Sequence, residues 1–116
     1  MSGGNFGFGG GSMLFFRKDL TDINLTGAVL KKQSLFDSNL TRAILKEANL
    51  FGVDLTNANL TDANLSRANL TEANLMNVNF TGANLTGAVL VGTYNTKKAT
   101  YCKTIMPDGA VNNSGC

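Results

Sequence analysis

The only two cysteines, Cys102 and Cys116, are the side chains best suited to covalent or metal chemistry in this 116-residue chain. If they pair, they close a loop of about 15 residues, which stabilises a fold by roughly 3 kcal/mol in the chain-entropy model. If they stay reduced, they indicate a reducing compartment such as the cytosol. Two thiolates without any His fall short of a closed zinc site. We therefore expect no metal, and the spacing leaves both states of the cysteines open.

The sequence contains few residues that are suited to catalysis. His, the commonest general base at neutral pH, is absent, so the abundant Ser and Thr hydroxyls have no base to activate them. The Gly-rich start lacks the strand and helix context of a phosphate-binding loop. The carboxylates are scattered at outward positions, at Asp22, Asp54, Asp62, Glu47 and Glu72. We predict that the protein is not an enzyme, with no catalytic residues and no cofactor.

Net charge argues against two further classes of partner. The chain has 10 Lys and Arg against 8 Asp and Glu, a net charge of +2. Such a balance creates no strong field that would attract nucleic acid or an anionic membrane surface. No apolar run approaches the roughly 20 residues of a membrane-spanning helix. We expect no nucleic-acid partner and no membrane span.

A five-residue repeat positions most of the side chains. Between Leu55 and Leu75 every fifth residue is Leu, and Ala-Asn precedes each Leu after the first. The same period gives further apolar centres at Leu20, Leu25, Leu30, Leu35, Leu40, Leu45, Leu50, Phe80, Leu85 and Leu90. A helix would spread these centres around its surface, and a flat strand would place successive centres on opposite faces. The chain must therefore bend once per repeat and coil around a narrow apolar axis.

Opposite charges recur at intervals of twenty residues, which favours four repeats per coil. This register stacks Asp22 under Arg42 under Asp62, and Glu47 under Arg67. Neighbouring coils of a β-stacked solenoid lie about 4.8 Å apart, a spacing that suits such charge ladders. The ladders add little stability individually, but they help to fix the register.

Other positions in the repeat carry turn residues or departures from the rule. Asn stands before most centres, where we expect it to bond local backbone and to accommodate positive φ; Gly recurs at a second corner position. Lys18, Gln33 and Ser38 replace the inward Ala. We expect Lys18 to extend its amine into solvent, and Gln33 and Ser38 to bond to backbone, because buried polar groups need partners.

The uninterrupted Ala-(Asn/Asp)-Leu-Thr-x pattern over about residues 17 to 93 resembles the pentapeptide-repeat family. The resemblance implies an all-β fold, a right-handed quadrilateral β-helix of about four coils with terminal caps. It also implies that each centre and the residue two before it face inward. The domain boundaries that follow are a flexible Gly-rich segment at 1–12, the β-helix at 13–93 and a C-terminal cap segment at 94–116.

A second resemblance concerns the end of the chain. The run Cys102-Lys-Thr-Ile-Met-Pro-Asp-Gly109, followed by Asn and the final Cys116, is similar to the ending of cyanobacterial and thylakoid-lumen pentapeptide-repeat proteins. This resemblance implies a disulfide between Cys102 and Cys116. A bridged pair would place the protein in the thylakoid lumen or periplasm after removal of a leader, and a reduced pair would place it in the cytoplasm.

Two apolar features are candidates for contact with a partner. Met13, Leu14, Phe15 and Phe16 form the densest apolar run and are predicted to cap the first coil or, alternatively, to dock onto a partner or a membrane surface. Phe36, Phe51, Met76 and Val91 stand at outward positions where Thr or Ser is the rule, and Val29, Ile44 and Val89 replace outward Asn. These departures indicate an interaction surface, although single exposed apolar residues are also ordinary.

The resulting prediction of function is a non-enzymatic structural or protein-interaction module of a cyanobacterial or plastid type. Its partner would be another protein, or a second copy of the chain bound through an outer face. The alternative is a gyrase-protecting DNA mimic of the kind found in the same family. Such mimics are longer and strongly acidic, whereas this chain is short and slightly basic, so the interaction module is the preferred hypothesis.

Overall fold

The computed structural model of the protein describes residues 17–116. The predicted Gly-rich segment at 1–12 and the apolar run from Met13 to Phe16 lie outside these residues. Within the described range the chain coils as a solenoid in which parallel β-bridges join residues twenty apart, from Asp19↔Asn39 to Asn74↔Tyr94. The twenty-residue register predicted from the charges is therefore the register of the ladder.

The interior consists of the repeat centres and the residues two before them. The centres from Leu25 to Leu75, together with Phe80, are almost completely buried, and so are the intervening Ala residues, Val53 and Val78. Each inward Ala donates its amide hydrogen bond to the carbonyl of the preceding centre, as Ala63 does to Leu60 at 3.0 Å. This short bond closes the bend that the five-residue period requires. The small Ala leaves room for one large side chain per repeat.

The second residue after each centre, the corner residue, takes a left-handed backbone conformation. These residues have φ between 55° and 70°, and they are Arg17, Asp22, Gly27, Lys32, Asp37, Arg42, Glu47, Gly52, Asn57, Asp62, Arg67, Glu72, Asn77, Gly82, Gly87 and Gly92. A left-handed residue other than Gly costs roughly 1–2 kcal/mol. Most corners also make a ladder hydrogen bond, such as the 2.8 Å bond from the Asp62 amide to the Thr81 carbonyl, which offsets part of that cost.

The expectation that Asn before a centre would occupy positive φ is wrong. These residues form the parallel bridges instead, and their side chains bond to local backbone as predicted. Asn59 is typical, because its Oδ1 accepts hydrogen bonds from the Thr61 amide at 3.0 Å and the Thr61 hydroxyl at 2.6 Å. Where this polar pair is present, it closes the turn from outside, and the corner residue that follows takes the left-handed conformation.

The three polar residues at inward positions behave differently from one another. Lys18 is exposed, as predicted. Ser38 is buried, and its Oγ accepts a hydrogen bond from the Lys18 amide at 3.4 Å. Gln33 is 3 % exposed, and its Oε1 has no hydrogen-bond partner. The prediction that Gln33 would bond to backbone is therefore wrong for this oxygen, because the ladder already uses the backbone groups around it.

The C-terminal segment, residues 94–116, leaves the five-residue period by one residue. A 3-10 helix spans Thr96–Lys98, after which Thr100 bridges Asn79 and Ile105 bridges Asn84, each 21 residues apart in sequence. Strand β1, Thr104–Ile105, then pairs antiparallel with strand β2, Val111–Asn112. A disulfide joins Cys102 to Cys116, with a Cα–Cα distance of 4.9 Å. The residues after β2 are thereby tied to the stack.

Among residues 17–116, no helix has the length and apolar character needed to cross a membrane.

Candidate interaction surface

One corner of the solenoid carries a groove that runs along the stack. Its floor is the column Lys32, Gly52, Glu72 and Gly92, and the side chains of Phe51 and Tyr94 line it. The two Gly residues leave space that the side chain from the coil below occupies. Lys32 Cγ lies 3.2 Å from where a Gly52 Cβ would be, and Glu72 Cγ lies at the same distance from a Gly92 Cβ. Each long side chain therefore extends along the column toward the next coil.

Exposed apolar side chains concentrate at the last repeat of this corner. Val91 is 70 % exposed, Tyr94 53 % and Val89 43 %, and Leu90 between them is only partly buried. In lower coils the equivalent centres Leu50 and Leu70 are fully buried. Three of the five large apolar residues that are exposed within residues 17–116 thus lie at residues 89–94.

The four residues predicted as an interaction surface divide between two places. Phe51 and Val91 belong to the grooved corner. Phe36 and Met76 belong to another column, displaced by one repeat within the coil, and do not line the groove. Phe36 and Phe51 are half-buried and each lies near a cation. The Arg17 guanidinium is 5.7 Å from the Phe36 ring centroid, and the Lys31 amine is 5.7 Å from that of Phe51. These cations cover part of the aromatic faces that the sequence suggested were free.

Tyr94 was not predicted as part of this surface. It occupies a position where Asn or Asp stands in the coils below, at Asn74 and Asp54, and the replacement of a polar ladder residue by an aromatic one is the signal that identifies it. The exposure of Tyr94 also depends on the path of the chain in the next coil, which the sequence around Tyr94 does not indicate.

The charged corners elsewhere form ion pairs along the stack. Arg42 Nε is 2.7 Å from Asp22 Oδ1, Arg67 Nε is 3.3 Å from Glu47 Oε2, and Arg17 Nε is 3.4 Å from Asp37 Oδ2. The hydrogen bond from Arg42 lowers the pKa of the Asp22 carboxyl, and Asp22 raises the pKa of Arg42. All three pairs are exposed, so each adds little to stability.

No catalytic constellation is assembled by the described residues. The Thr and Ser hydroxyls in the ladder mostly donate to a neighbouring Asn or Asp oxygen, as Thr71 does to Asn69 and Thr56 to Asp54. In the part of the chain that the structure describes, no three Cys, Asp or Glu side chains are grouped as metal ligands would be. The most distinctive chemistry of the surface is therefore apolar contact combined with ordered charge at the corners.

This geometry defines the class of protein as an all-β solenoid, with parallel ladders, a narrow interior of Leu and Ala, and polar turns. The sequence model of the family described as Pentapeptide repeats (8 copies) matches residues 19–57 and 54–92, which together make up more than half of the chain. The chain belongs to the pentapeptide-repeat family, whose members fold as right-handed β-helices. These proteins are generally structural or interaction modules.

Solved structures of cyanobacterial family members are similar to this chain. HetL of Nostoc sp. strain PCC 7120, a pentapeptide repeat protein involved in heterocyst differentiation regulation, is 36% identical with a TM-score of 0.79. That match covers 81% of this chain and 43% of HetL. Rfr23 of Cyanothece 51142 is 40% identical with a TM-score of 0.58, over 72% of this chain and 53% of Rfr23. The chain therefore spans only about half the length of these two relatives.

A plant protein shows a third similarity. The pentapeptide repeat protein from the thylakoid lumen of Arabidopsis thaliana is 28% identical over 96% of this chain and 91% of its own length, with a TM-score of 0.36. The comparison with curated protein sequences gave no match.

Proposed function

We propose that the protein is a non-enzymatic interaction module that binds another protein through the corner formed by Phe51, Val91 and Tyr94. The observation that carries this proposal is the concentration of exposed apolar surface at residues 89–94, beside a groove with ordered charges. Val89, Val91 and Tyr94 are exposed at these positions, whereas only Leu90 packs against the core. Their placement on one corner is what a contact site requires.

The finer architecture that we infer is a quadrilateral β-helix of about four coils, with 13–93 as the helix and 94–116 as a C-terminal cap. Bridges at intervals of five along each twenty-residue coil support four sides. The stacking of Tyr101 on Phe80 and the burial of Thr104 support a capping role for the C-terminal segment. A rigid solenoid of this kind presents its corners in fixed positions, which suits a scaffold.

The likeness to HetL and Rfr23 supports a cyanobacterial or plastid setting for the partner. The gyrase-protecting alternative is not adopted, since the corners carry alternating charges of both signs instead of a continuous acidic surface. Binding to a second copy of the chain remains one form of the same proposal, and it would use the same apolar corner.

Site-specific photo-crosslinking in cells that produce the protein natively tests the proposal. A photoreactive amino acid is placed at position 91, and the matched control places it at position 44, because Ile44 is also exposed but lies away from the groove. We expect a discrete protein adduct from position 91 only, and we expect Tyr94→Ser to weaken it. Equal adducts from both positions, or none from either, would contradict the proposal.

A further inference from the structure

The repeat at residues 88–92 ends the ladder with unused hydrogen-bonding groups. In the equivalent repeat two coils lower, the Ala48 carbonyl accepts a hydrogen bond at 3.0 Å, and the Leu50 and Gly52 amides each donate one at 2.8 Å, all to residues 69–71 of the next coil. These three bonds define what one repeat offers to the repeat above it.

The corresponding three groups at the end of the stack have no partner. Within residues 17–116, the Ala88 carbonyl accepts no hydrogen bond, and the Leu90 and Gly92 amides donate none. The reason is the path of the chain after Pro107, whose carbonyl accepts the last ladder bond, from Gly87. The chain then turns back into β2 instead of continuing above residues 88–92. An unpaired edge of this kind is a template for another extended segment.

The side chains along this edge specify an apolar occupant. Leu90 is a repeat centre, yet it is only partly buried, because no centre lies above it. Val89 and Val91 on either side of it are exposed. A segment that completes the ladder would place an apolar side chain over Leu90 and bury it, and it would cover part of Val89 and Val91, as the next coil does for Asn49 and Phe51.

The charges in the corner columns predict the charge of one residue in the bound segment, the residue that would lie above Gly92. Where a corner Gly follows a charged corner, the next coil carries the opposite charge. Lys32, Gly52 and Glu72 form one such column, and Asp62, Gly82 and Lys103 form another, since the Gly82 amide donates to the carbonyl that precedes Lys103.

A third column follows the same order in its ladder register with Arg67, Gly87 and Asp108, because the Gly87 amide donates to the carbonyl that precedes Asp108; in this turn the left-handed residue is Gly109. The column of Glu72 and Gly92 alone ends without the next charge. The Glu72 side chain already extends over Gly92, so a cation above Gly92 would complete the alternation.

We propose that the open edge at residues 88–92 binds an extended segment of a partner protein as an added parallel strand. The segment carries an apolar residue over Leu90 and, two residues later, a Lys or Arg over Gly92 that pairs with Glu72. This inference rests on the proposed function and names the chemistry of the partner. Main-chain hydrogen bonds give such complexes affinity and side-chain contacts give them specificity.

Titration of the full-length, isotopically labelled protein with blocked peptides tests this inference by NMR. The probe peptide is acetyl-Ala-Thr-Leu-Val-Lys-amide, and its control replaces Lys by Glu. We expect the probe to shift the amide signals of Leu90 and Gly92 and to bind about fivefold more tightly than the control, a ratio typical of an exposed ion pair. Glu72→Gln should abolish the preference, and Glu72→Lys should reverse it.

Two matched controls separate strand addition from general stickiness. Glu47→Gln changes a carboxylate on another corner, where Glu47 pairs with Arg67, and should leave the preference intact. In the ladder register the peptide Thr amide would donate to Ala88, while the peptide Leu amide points away from the edge. Methylation of the Thr nitrogen should therefore weaken binding at least about tenfold, the loss expected from a blocked hydrogen bond and the clash of the methyl, and methylation of the Leu nitrogen should be tolerated.

Each contrary outcome overturns the inference in a recognisable way. Unshifted Leu90 and Gly92 signals, or equal affinity for both peptides, would show that the edge does not select a basic strand. Protection of these amides from hydrogen exchange before peptide is added would show that the chain itself, or a second copy detected by a doubled mass, covers the edge. If crosslinks still form at position 91 in either case, the proposed function stands and this inference alone is lost.

Discussion

The rings of Phe80 and Tyr101 stack with their centroids 5.6 Å apart and their planes inclined by 12°. Tyr101 therefore serves as the centre of the coil above Phe80, although the register there is one residue longer than in the rest of the ladder. Its hydroxyl donates to the Thr96 carbonyl at 3.1 Å. The ring covers the end of the apolar interior, while the hydroxyl connects that end to the 3-10 helix.

Tyr101→Phe should change how stability depends on alkaline pH. Burial raises the pKa of the Tyr101 hydroxyl, because the phenolate loses solvation. Since the folded pKa exceeds the unfolded value of about 10, the contribution is present below that pH and is lost as pH rises through the folded value. Urea denaturation on both sides of this pH should show a steeper loss of unfolding free energy in the wild type than in Tyr101→Phe. Equal slopes would contradict this expectation.

Reduction of the disulfide should loosen only the end of the molecule. Cys102 and Cys116 close a loop of about 15 residues, so the loss in unfolding free energy should be roughly 3 kcal/mol. Hydrogen exchange should accelerate in residues 100–116 and stay slow at the buried coils around Leu45 and Leu65. The double substitution Cys102→Ser and Cys116→Ser should reproduce the effect without reductant. Uniform acceleration over all coils would show that the bridge supports the whole stack instead.

Two corner glycines with the same backbone conformation provide a matched comparison. Gly27 and Gly82 both have φ of 70°, but an added Cβ meets nothing within 4 Å at Gly27 and overlaps Asp62 Oδ1 at Gly82. Gly27→Ala should cost roughly 1–2 kcal/mol, the cost of a left-handed Ala, and Gly82→Ala should cost more. In the background of Asp62→Ala, the two costs should become equal in chemical denaturation. A persistent difference would point to the backbone instead of the carboxylate.

Asp19→Asn should be tolerated at neutral pH and should make stability less sensitive to acid. Asn fills the same repeat position at Asn59, with Oδ1 accepting from the Thr61 amide at 3.0 Å and its hydroxyl at 2.6 Å. At Asp19 the same arrangement lowers the carboxyl pKa, first through the Thr21 hydroxyl and then through the Thr21 amide.

A folded pKa below the unfolded value of about 3.9 gives stability above that pH that is lost as pH falls through the folded value. Thermal unfolding of Asp19→Asn and the wild type should therefore agree near neutrality, and in acid the wild type should lose more stability than the variant. Divergence already at pH 7 would show that the Asn amide cannot replace the carboxylate at this position.

Gln33→Met should stabilise the protein. The buried Oε1 of Gln33 has no hydrogen-bond partner, and Met fills a similar volume without a polar atom. The expected gain in unfolding free energy is about 1 kcal/mol, the lower range of the cost of an unsatisfied buried polar group. Ser38→Ala is the matched control and should lower stability, because Ser38 Oγ accepts the Lys18 amide. Loss of stability in Gln33→Met would mean that the amide is satisfied in solution.

The repeat predicts most of the fold because its interior rule is strict. A Leu every fifth residue with Ala two before it specifies which side chains are buried, and the charges of Asp22 and Arg42 indicate the coil length. The corner conformation was harder to predict, because Glu and Arg are not residues that usually signal positive φ. Closure of the coil imposes the left-handed conformation, and the local sequence does not indicate it.

The candidate site was predictable only in part. Phe51 and Val91 depart visibly from the Thr rule, and they lie on the grooved corner. Phe36 departs in the same way, but Arg17 lies over its ring, a contact that depends on the coil register. Tyr94 and the open edge at residues 88–92 depend on the turn after Pro107, which folds the chain away from its own ladder. The sequence of a single repeat does not indicate such long-range effects.

The extra residue between Asn79 and Thr100 has a consequence for how such proteins change length. The 3-10 helix Thr96–Lys98 absorbs the insertion at a corner, and the interior layers resume in phase with Tyr101 over Phe80. Corners are therefore sites where evolution can insert or delete a residue without disturbing the layers on either side. Related chains can therefore differ in length at their corners while their parallel ladders stay in register.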